Sequence, residues 1–385
     1  MRRGHAVTIF SSNFSHYRHR ELRTIVGLRL WGTEWIEGVR FVWVRTPPYR
    51  ANDLWRILNM VAFSATAVLA CASLGPRPDV VVGVSVHPLA ALAGWVVARM
   101  RGARFVFEVT DLWPQTLIEF GRIAEGSAAA RAMRWLERFL FRRASWIVML
   151  WRDTGPYVER AAGVGERVVW IPHLADPRRY NAIQPYDGAP TVPFTLMFLG
   201  GFVESNCVDI ILMTAAELQR RQRNDIRFEL IGEGTEKAAM INRARSLGLA
   251  NVTFPAAVAK SNVPEVMGHA DAFIYGLRDL PLYQYGISLN KLADYLASAR
   301  PIVFFGRSSY DAVAQSGAGI SVPSSDPAAI ADAVEELVAR TPEERRTMGE
   351  RGRQHLRRYH DIDTLTERFL ALLHKRAQEL TPRTP

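Results

Sequence analysis

The chain predicts an α/β fold built from two successive doubly wound domains, each a parallel sheet covered by helices on both faces. Short, nearly continuous apolar runs alternate with helical segments, the pattern of strands buried on both sides. A stretch rich in Pro, Asp and Gly, from Asp176 to Pro193, interrupts that alternation and reads as a linker. The 385 residues, 48% of them hydrophobic, exceed what one ordinary core holds. The expected divisions are 1–180, 181–360 and a last helical piece, 361–385, packing back on the first domain.

In chain order, MRRGHAVTIF reads as a helix end, a stop at Gly4 and a strand, and FVWVRT as another strand. Ile57 to Leu74 has 18 residues and no charge, the short limit for a membrane span. Asn59, Ser64, Thr66 and Ser73 within it favour a buried or surface-lying helix instead. DVVVGV is a strand leading to a loop with His87 and the helix LAALAGWVVARM. FVFEV ends in Asp111-Leu112-Trp113-Pro114, an amphipathic helix around AMRWLERFLFRRA follows, and WIVML and VVWIPH close the first alternation. The second runs from FTLMFLG through RFELIG, NVTFP, DAFIYGL, PIVFF and GISVP, with helices between, and ends on PAAIADAVEELVAR, a basic segment and TLTERFLALLHKR.

The net charge of +10 lies wholly in the first half: residues 1–180 hold 25 Arg, no Lys and 14 acidic residues, a net of +11. Such a half favours a polyanion, an anionic membrane surface or a phosphorylated acceptor, against the plainer reading of charge for solubility. Nucleic acid is not expected, because the arginines are scattered among Trp-rich apolar segments without a nucleic-acid motif. Cys71 and Cys207, far apart and without metal spacing, indicate a reduced protein with no structural metal. No signal peptide is legible at the N-terminus.

Asp271 to Val303 carries the strongest site signal. Strand DAFIYGL, a polar loop with Arg278, Tyr285 and Gly286, a helix opening at SLNK and strand PIVFF form a right-handed crossover. Its helix N-terminus faces the ligand edge of a parallel sheet, where free amides and a partial positive charge suit a diphosphate. Ser288 is placed to cap that helix, Arg278 and Lys291 to add full charges, and Asp294 to accept from sugar hydroxyls; the plainer reading leaves Lys291 and Asp294 as solvated helix residues.

LIGEGTEK, NVTF, VPEVMGHADAFIYGL, SLNKLADYLASARPIVFF and SGAGISVPSSDPAAIADAVEEL, in that order, resemble the donor half of retaining glycosyltransferases of family 4. FEVTDLWPQTLIEFG, RWLERFLFRRA and VVWIPH resemble a bacterial subgroup that makes O-antigen, capsule or exopolysaccharide, including N-acetyl-fucosamine-type transferases. The resemblance spans nearly the whole chain. It implies the GT-B architecture, two Rossmann-like domains facing a cleft, and metal-independent transfer with retention at the anomeric carbon and no cofactor.

Residue by residue, it implies donor binding by Gly200, Gly201, Asn206, Gly232, Glu233, Gly234, Arg278, Tyr285, Gly286, Ser288, Asn290, Lys291 and Asp294. Many family members carry an Arg and a Lys where this chain has Gly201 and Asn206, so Arg278 and Lys291 stand as substitutes. Of the family's two carboxylates with seven residues between them, Asp294 matches the second, and Gly286 falls where the first stands. His87 is an imperfect match to the family's catalytic His, against a plain loop His; Asp111 either contacts acceptor or sugar or caps the following turn; Glu233 either meets the nucleotide or is a solvated turn residue.

The expected enzyme moves a sugar from a nucleotide-sugar, UDP-linked, to a polyprenyl-diphosphate-linked saccharide. It works peripherally at the cytoplasmic face of the bacterial inner membrane, against anionic lipid. The alternatives are a nucleotide-sugar epimerase of the same architecture and an inactive binding subunit of a polysaccharide assembly complex. A doubly wound domain ordinarily opens with a strand, a loop and a helix before its second strand. The chain therefore reads as N-terminally truncated, with Met1 an internal start.

Overall fold

The computed structural model describes residues 3–15, 20–50, 53–181, 183 and 186–374. Two compact units emerge, one running to Met149 and including Gly155–Trp170, the other made of Leu150–Thr154 and Ile171–His374.

The first unit opens with β1 (Thr8–Ser12), the short pair β2 (Phe14–Ser15) and β3 (Arg20–Glu21), then β4 (Trp31–Ile36) and β5 (Val39–Val44). β1 and β5 are parallel, and β4 and β5 form an antiparallel hairpin. Glu37 and Gly38 turn that hairpin with φ of 49° and 79°, the paired positive values of a two-residue turn that keeps the strand twist. β4 was not expected, because WGTEWI mixes small, polar and aromatic residues.

After α1 (Leu54–Ser73), β6 (Val80–Val84), α2 (Pro88–Arg101), β7 (Arg104–Val109), α3 (Gln115–Glu119), α4 (Ala128–Arg143), β8 (Trp146–Met149), α5 (Gly155–Ala162) and β9 (Val168–Trp170) complete the unit. β6, β7, β8 and β9 form a separate parallel sheet in chain order. The single parallel sheet expected for this half is thus divided in two among the described residues. Residues 1 and 2, at the expected helix end, lie outside them.

α1 is long and apolar enough to cross a membrane, yet lies on α2 and β5 as a surface helix. Its polarity is turned outward-in. Asn59, Thr66, Ala67 and Ala70 face the protein, Asn59 donating to the Pro47 carbonyl at 2.7 Å. Leu54, Trp55, Ile57, Leu58, Val61 and Leu69 are exposed.

The second unit holds one six-stranded parallel sheet, ordered β12-β11-β10-β13-β14-β15. In chain order its elements are β10 (Phe194–Leu199), α6 (Val208–Arg220), β11 (Ile226–Ile231), α7 (Lys237–Ser246), β12 (Val252–Thr253), α8 (Val263–Met267) and β13 (Ala272–Gly276). Then come α9 (Asn290–Ala297), β14 (Ile302–Phe305), α10 (Ala312–Ser316), β15 (Gly319–Val322), α11 (Pro327–Ala339), α12 (Pro342–Tyr359) and α13 (Ile362–His374). Phe198, Phe228, Ile274 and Phe305 from four strands pack with Ile211, Leu212, Val334 and Leu337 from α6 and α11 in one core. Burial of a side chain of this size contributes about 1.5–3 kcal/mol.

The boundary differs from the expected 180/181. Asp176 to Pro193 is not a free linker, because distant polar groups hold it in the second unit. Asp271 accepts from the Thr191 amide at 3.0 Å and from its hydroxyl at 2.6 Å, and Arg345 donates to the Gly188 carbonyl at 3.0 Å. Tyr180 is buried there as well. Of the expected terminal piece, α13 groups with the second unit beside α12, and residues 375–385 lie outside the described residues.

Candidate functional site

The loops after β10 and β11 meet at the carboxyl edge of the second unit's sheet, where parallel α/β sheets present ligand sites. Gly200 donates to the Ile231 carbonyl at 3.0 Å, and Phe202 to the Glu233 carbonyl at 2.8 Å. Gly232 and Gly234 have φ of 151° and 156°, and a Cβ on either would lie 1.8 Å from the Gly200 oxygen or 2.3 Å from the Phe202 oxygen. Only glycine fits both the backbone angle and the space. Tyr295, on α9, locks the end of β10: its hydroxyl accepts from the Leu199 amide at 2.8 Å and donates to the Leu199 carbonyl at 3.1 Å.

Lys291 reaches this loop. Its Nζ donates to Asn206 Oδ1 at 2.5 Å and lies 4.8 Å from the Phe198 ring centroid, while Asn206 Nδ2 donates to the Gly201 carbonyl at 2.7 Å. Gly201, Asn206 and Lys291 therefore form one linked group. Burial pushes the Lys291 ammonium down to about 7, opposed by the Cys207 thiol.

Arg278 does not stand free as the second phosphate charge. Asp209 takes its Nη2 through both carboxylate oxygens, at 3.0 and 3.1 Å, and Nε lies 3.3 Å from the Glu204 carbonyl. The expectation for Arg278 is corrected to an ion pair that ties the loop after β13 to α6. Lys237, which sequence reasoning missed, flanks the glycines: its Nζ donates to the Gly232 carbonyl at 2.8 Å and meets Glu233 Oε1 at 3.1 Å. Its place five residues after Gly232 was the available signal. Glu233 is thus an ion-paired turn residue with an exposed side chain.

The loop before α9 is positioned from elsewhere in the chain. The Asp153 amide donates to the Tyr285 carbonyl at 3.0 Å. Gly286 has φ of 95°, and a Cβ there would sit 3.1 Å from the Arg152 nitrogen, so backbone packing requires the glycine. Ser288 does not cap α9: its Oγ accepts from the His173 amide at 2.9 Å, and the helix opens at Asn290 after Leu289 with no side-chain cap. The first amides of α9 are left without a side-chain acceptor. Asp294 lies on α9 and accepts from the buried Tyr180 hydroxyl. Burial raises its carboxyl above the ordinary range, opposed by that hydrogen bond and by Lys260 and Arg179.

His87 and Asp111 belong to the first unit. His87 caps α2, its Nδ1 accepting from the Ala90 amide at 3.1 Å. Burial, with Arg56, pushes it down to about 4, which holds the imidazole neutral at pH 7. Asp111 caps no helix, because α3 opens after Pro114 without a side-chain cap. Burial raises its carboxyl. Ser85 laces the two loops together: its Oγ accepts from the Thr110 amide at 2.9 Å and its carbonyl from Trp113 Nε1 at 3.0 Å. Among the described residues, no three His, Cys, Asp or Glu side chains gather in a way that holds a metal.

The profile of a family described as glycosyl transferases group 1 matches residues 193–340, and that of a glycosyl transferase 4-like domain matches residues 1–173. No curated protein matches the chain. Among solved structures, sucrose-phosphate synthase from Thermosynechococcus elongatus is similar with a TM-score of 0.73 and 15% identity, over 96% of this chain and 89% of that one. WaaG, a glycosyltransferase involved in lipopolysaccharide biosynthesis, gives 0.66 and 16%, over 99% and 92%. HepE from Anabaena, solved with UDP and glucose, gives 0.64 and 13%, over 87% and 86%. At these identities the likeness speaks for the fold.

Proposed function

We propose that this chain is a glycosyltransferase of GT-B fold that moves a sugar, with retention and without a metal, from a UDP-sugar to a polyprenyl-diphosphate-linked saccharide in bacterial surface-polysaccharide synthesis, a reading supported by the two glycosyl transferase profiles and the likeness in fold. The observation that carries this reading is the Gly201–Asn206–Lys291 group beside the close-packed Gly200 and Gly232–Gly234 loops. As the glycosidic bond breaks, negative charge gathers on the departing diphosphate, and preorganised amides with a nearby ammonium stabilise it. Lys291 supplies the full charge that Arg278, held by Asp209, does not. Asp294 serves the ribose through the oxygen that Tyr180 leaves open. The UDP found with HepE supports the choice of nucleotide.

The reading places the enzyme peripherally on the cytoplasmic face of the inner membrane, through the first unit. α1 turns its apolar side outward. On α4, Trp135 is exposed and stacks on Phe139 at 5.7 Å, with Arg138, Arg142 and Arg143 around them. Aromatic rings flanked by guanidiniums suit the boundary between lipid headgroups and acyl chains.

The test is purified protein with a panel of nucleotide-sugars, with and without a polyprenyl-diphosphate-linked saccharide, read by released nucleoside diphosphate. UDP released only with the acceptor is expected. An isomerised nucleotide-sugar formed without acceptor would make the protein an epimerase, and no turnover of any donor would leave a binding subunit.

A further inference from the structure

A second cationic cavity lies in the second unit, built from none of the candidate donor residues. It has a volume of about 250 Å³ between the end of α10 and the last two turns of α12 and is lined by Gln315, Arg351, Gln354, His355 and Arg358, among others. Arg351 and Arg358 are seven residues apart on α12, so two helical turns bring them to one face. Neither has a carboxylate partner among the described residues; Arg358 only overlies the Tyr359 ring at 5.2 Å. Arg152, which does not line the cavity, donates to Gln315 Oε1 at 3.1 Å and overlies Tyr310 at 5.2 Å.

The floor is His355. Its Nε2 meets the Tyr310 hydroxyl at 2.8 Å, and its Nδ1 has no hydrogen-bond partner among the described residues. Burial pushes the imidazole down to about 4, and His360, Arg152 and Arg358 push in the same direction. The carboxylates that act on Tyr310 are engaged elsewhere, Asp153 with the Ser309 hydroxyl at 2.7 Å and Asp311 as the cap of α10. Other arginines of this unit do meet carboxylates: Arg221 and Arg223 share Glu335, and Arg340 meets Glu336 and Glu344. The guanidiniums of Arg351 and Arg358, with the side-chain amides of Gln315 and Gln354 beside them, suit a tetrahedral oxyanion, which takes forked hydrogen bonds from Arg.

We propose that this cavity binds a phosphoryl group, as free phosphate or as the end of a small phosphate monoester. The test is calorimetric titration of the whole protein with inorganic phosphate and with glycerol phosphate, at ionic strength held constant with chloride. Saturable binding is expected, weakened about tenfold or more in Arg351→Gln/Arg358→Gln through loss of two charge-assisted contacts. UDP affinity of that variant should stay within about twofold of the parent, which shows that it is folded. Lys291→Ala should keep its phosphate affinity. Tighter binding of the ester identifies the monoester as occupant, and equal binding identifies phosphate. The proposal fails if the parent binds neither, if the double variant binds both undiminished, or if Lys291→Ala abolishes binding.

Discussion

The two units answer the same demand, a parallel sheet between helices, in different ways. In the second, β13 and β14 are buried throughout, and several of its buried polar groups find partners inside the unit. Asp271 collects Thr191 and Thr195, Arg300 donates to three carbonyls, and Tyr295 closes on both polar groups of Leu199. In the first, β1 and β4 are largely exposed or half-buried, and Trp35, Trp55 and Trp135 stand 68%, 58% and 67% exposed. The second unit holds the loops at its sheet edge with its own backbone and side-chain hydrogen bonds. The first keeps apolar and cationic groups turned outward, as a surface made to meet something does.

The comparison breaks most sharply at the glycines. Gly232→Ala forces a Cβ to within 1.8 Å of the Gly200 oxygen and an angle that only glycine adopts freely. It should lower stability by roughly 3 kcal/mol, at the upper end of local backbone strain, and remove UDP binding. Chemical denaturation and calorimetry read the two effects.

Next in size is Lys291→Ala, which should weaken UDP binding by about 1.5–3 kcal/mol through the lost charged hydrogen bond. The pH dependence carries its own sign. The unfolded chain keeps this lysine's proton to its ordinary value near 10.5, whereas the folded protein releases it near 7. Folding is therefore disfavoured below pH 7 and gains stability as pH rises from there toward 10.5. Binding of UDP at pH 8 should take up a proton, seen as a buffer-dependent heat; Lys291→Ala should lose that dependence.

The first unit should respond to lipid and salt. Arg138→Gln/Arg142→Gln should weaken binding to anionic vesicles by roughly 2 kcal/mol, at about 1 kcal/mol per arginine near a charged surface. The parent's binding should fall with salt, since screening acts over about 8–10 Å. Co-sedimentation with neutral and anionic vesicles measures both. Equal binding to neutral vesicles at high salt would assign the contact to the apolar side of α1.

The smallest effect belongs to Tyr180→Phe, which removes the hydroxyl on Asp294. Its cost is expected near 1 kcal/mol of stability, with a modest loss of UDP affinity if Asp294 serves the ribose. An unchanged melting temperature would mean that water replaces the hydroxyl.

The alternation of apolar runs determined the two units and most of their strands, because burial on both faces leaves no room for polar residues within a strand. Local chemistry also placed α9 after a polar loop and made Lys291 a candidate ligand. What Arg278 and Ser288 do was decided only by tertiary structure. Asp209 neutralises Arg278 from 69 positions away, and the His173 amide takes the hydroxyl that Ser288 offered its own helix. The segment 176–193 carries the composition of a linker, yet Asp271 and Arg345 supply distant partners that hold it in place. Propensity and periodicity act over a few residues. A charge or hydrogen bond goes to whichever partner the fold brings within 3 Å, and here those partners lie far along the chain.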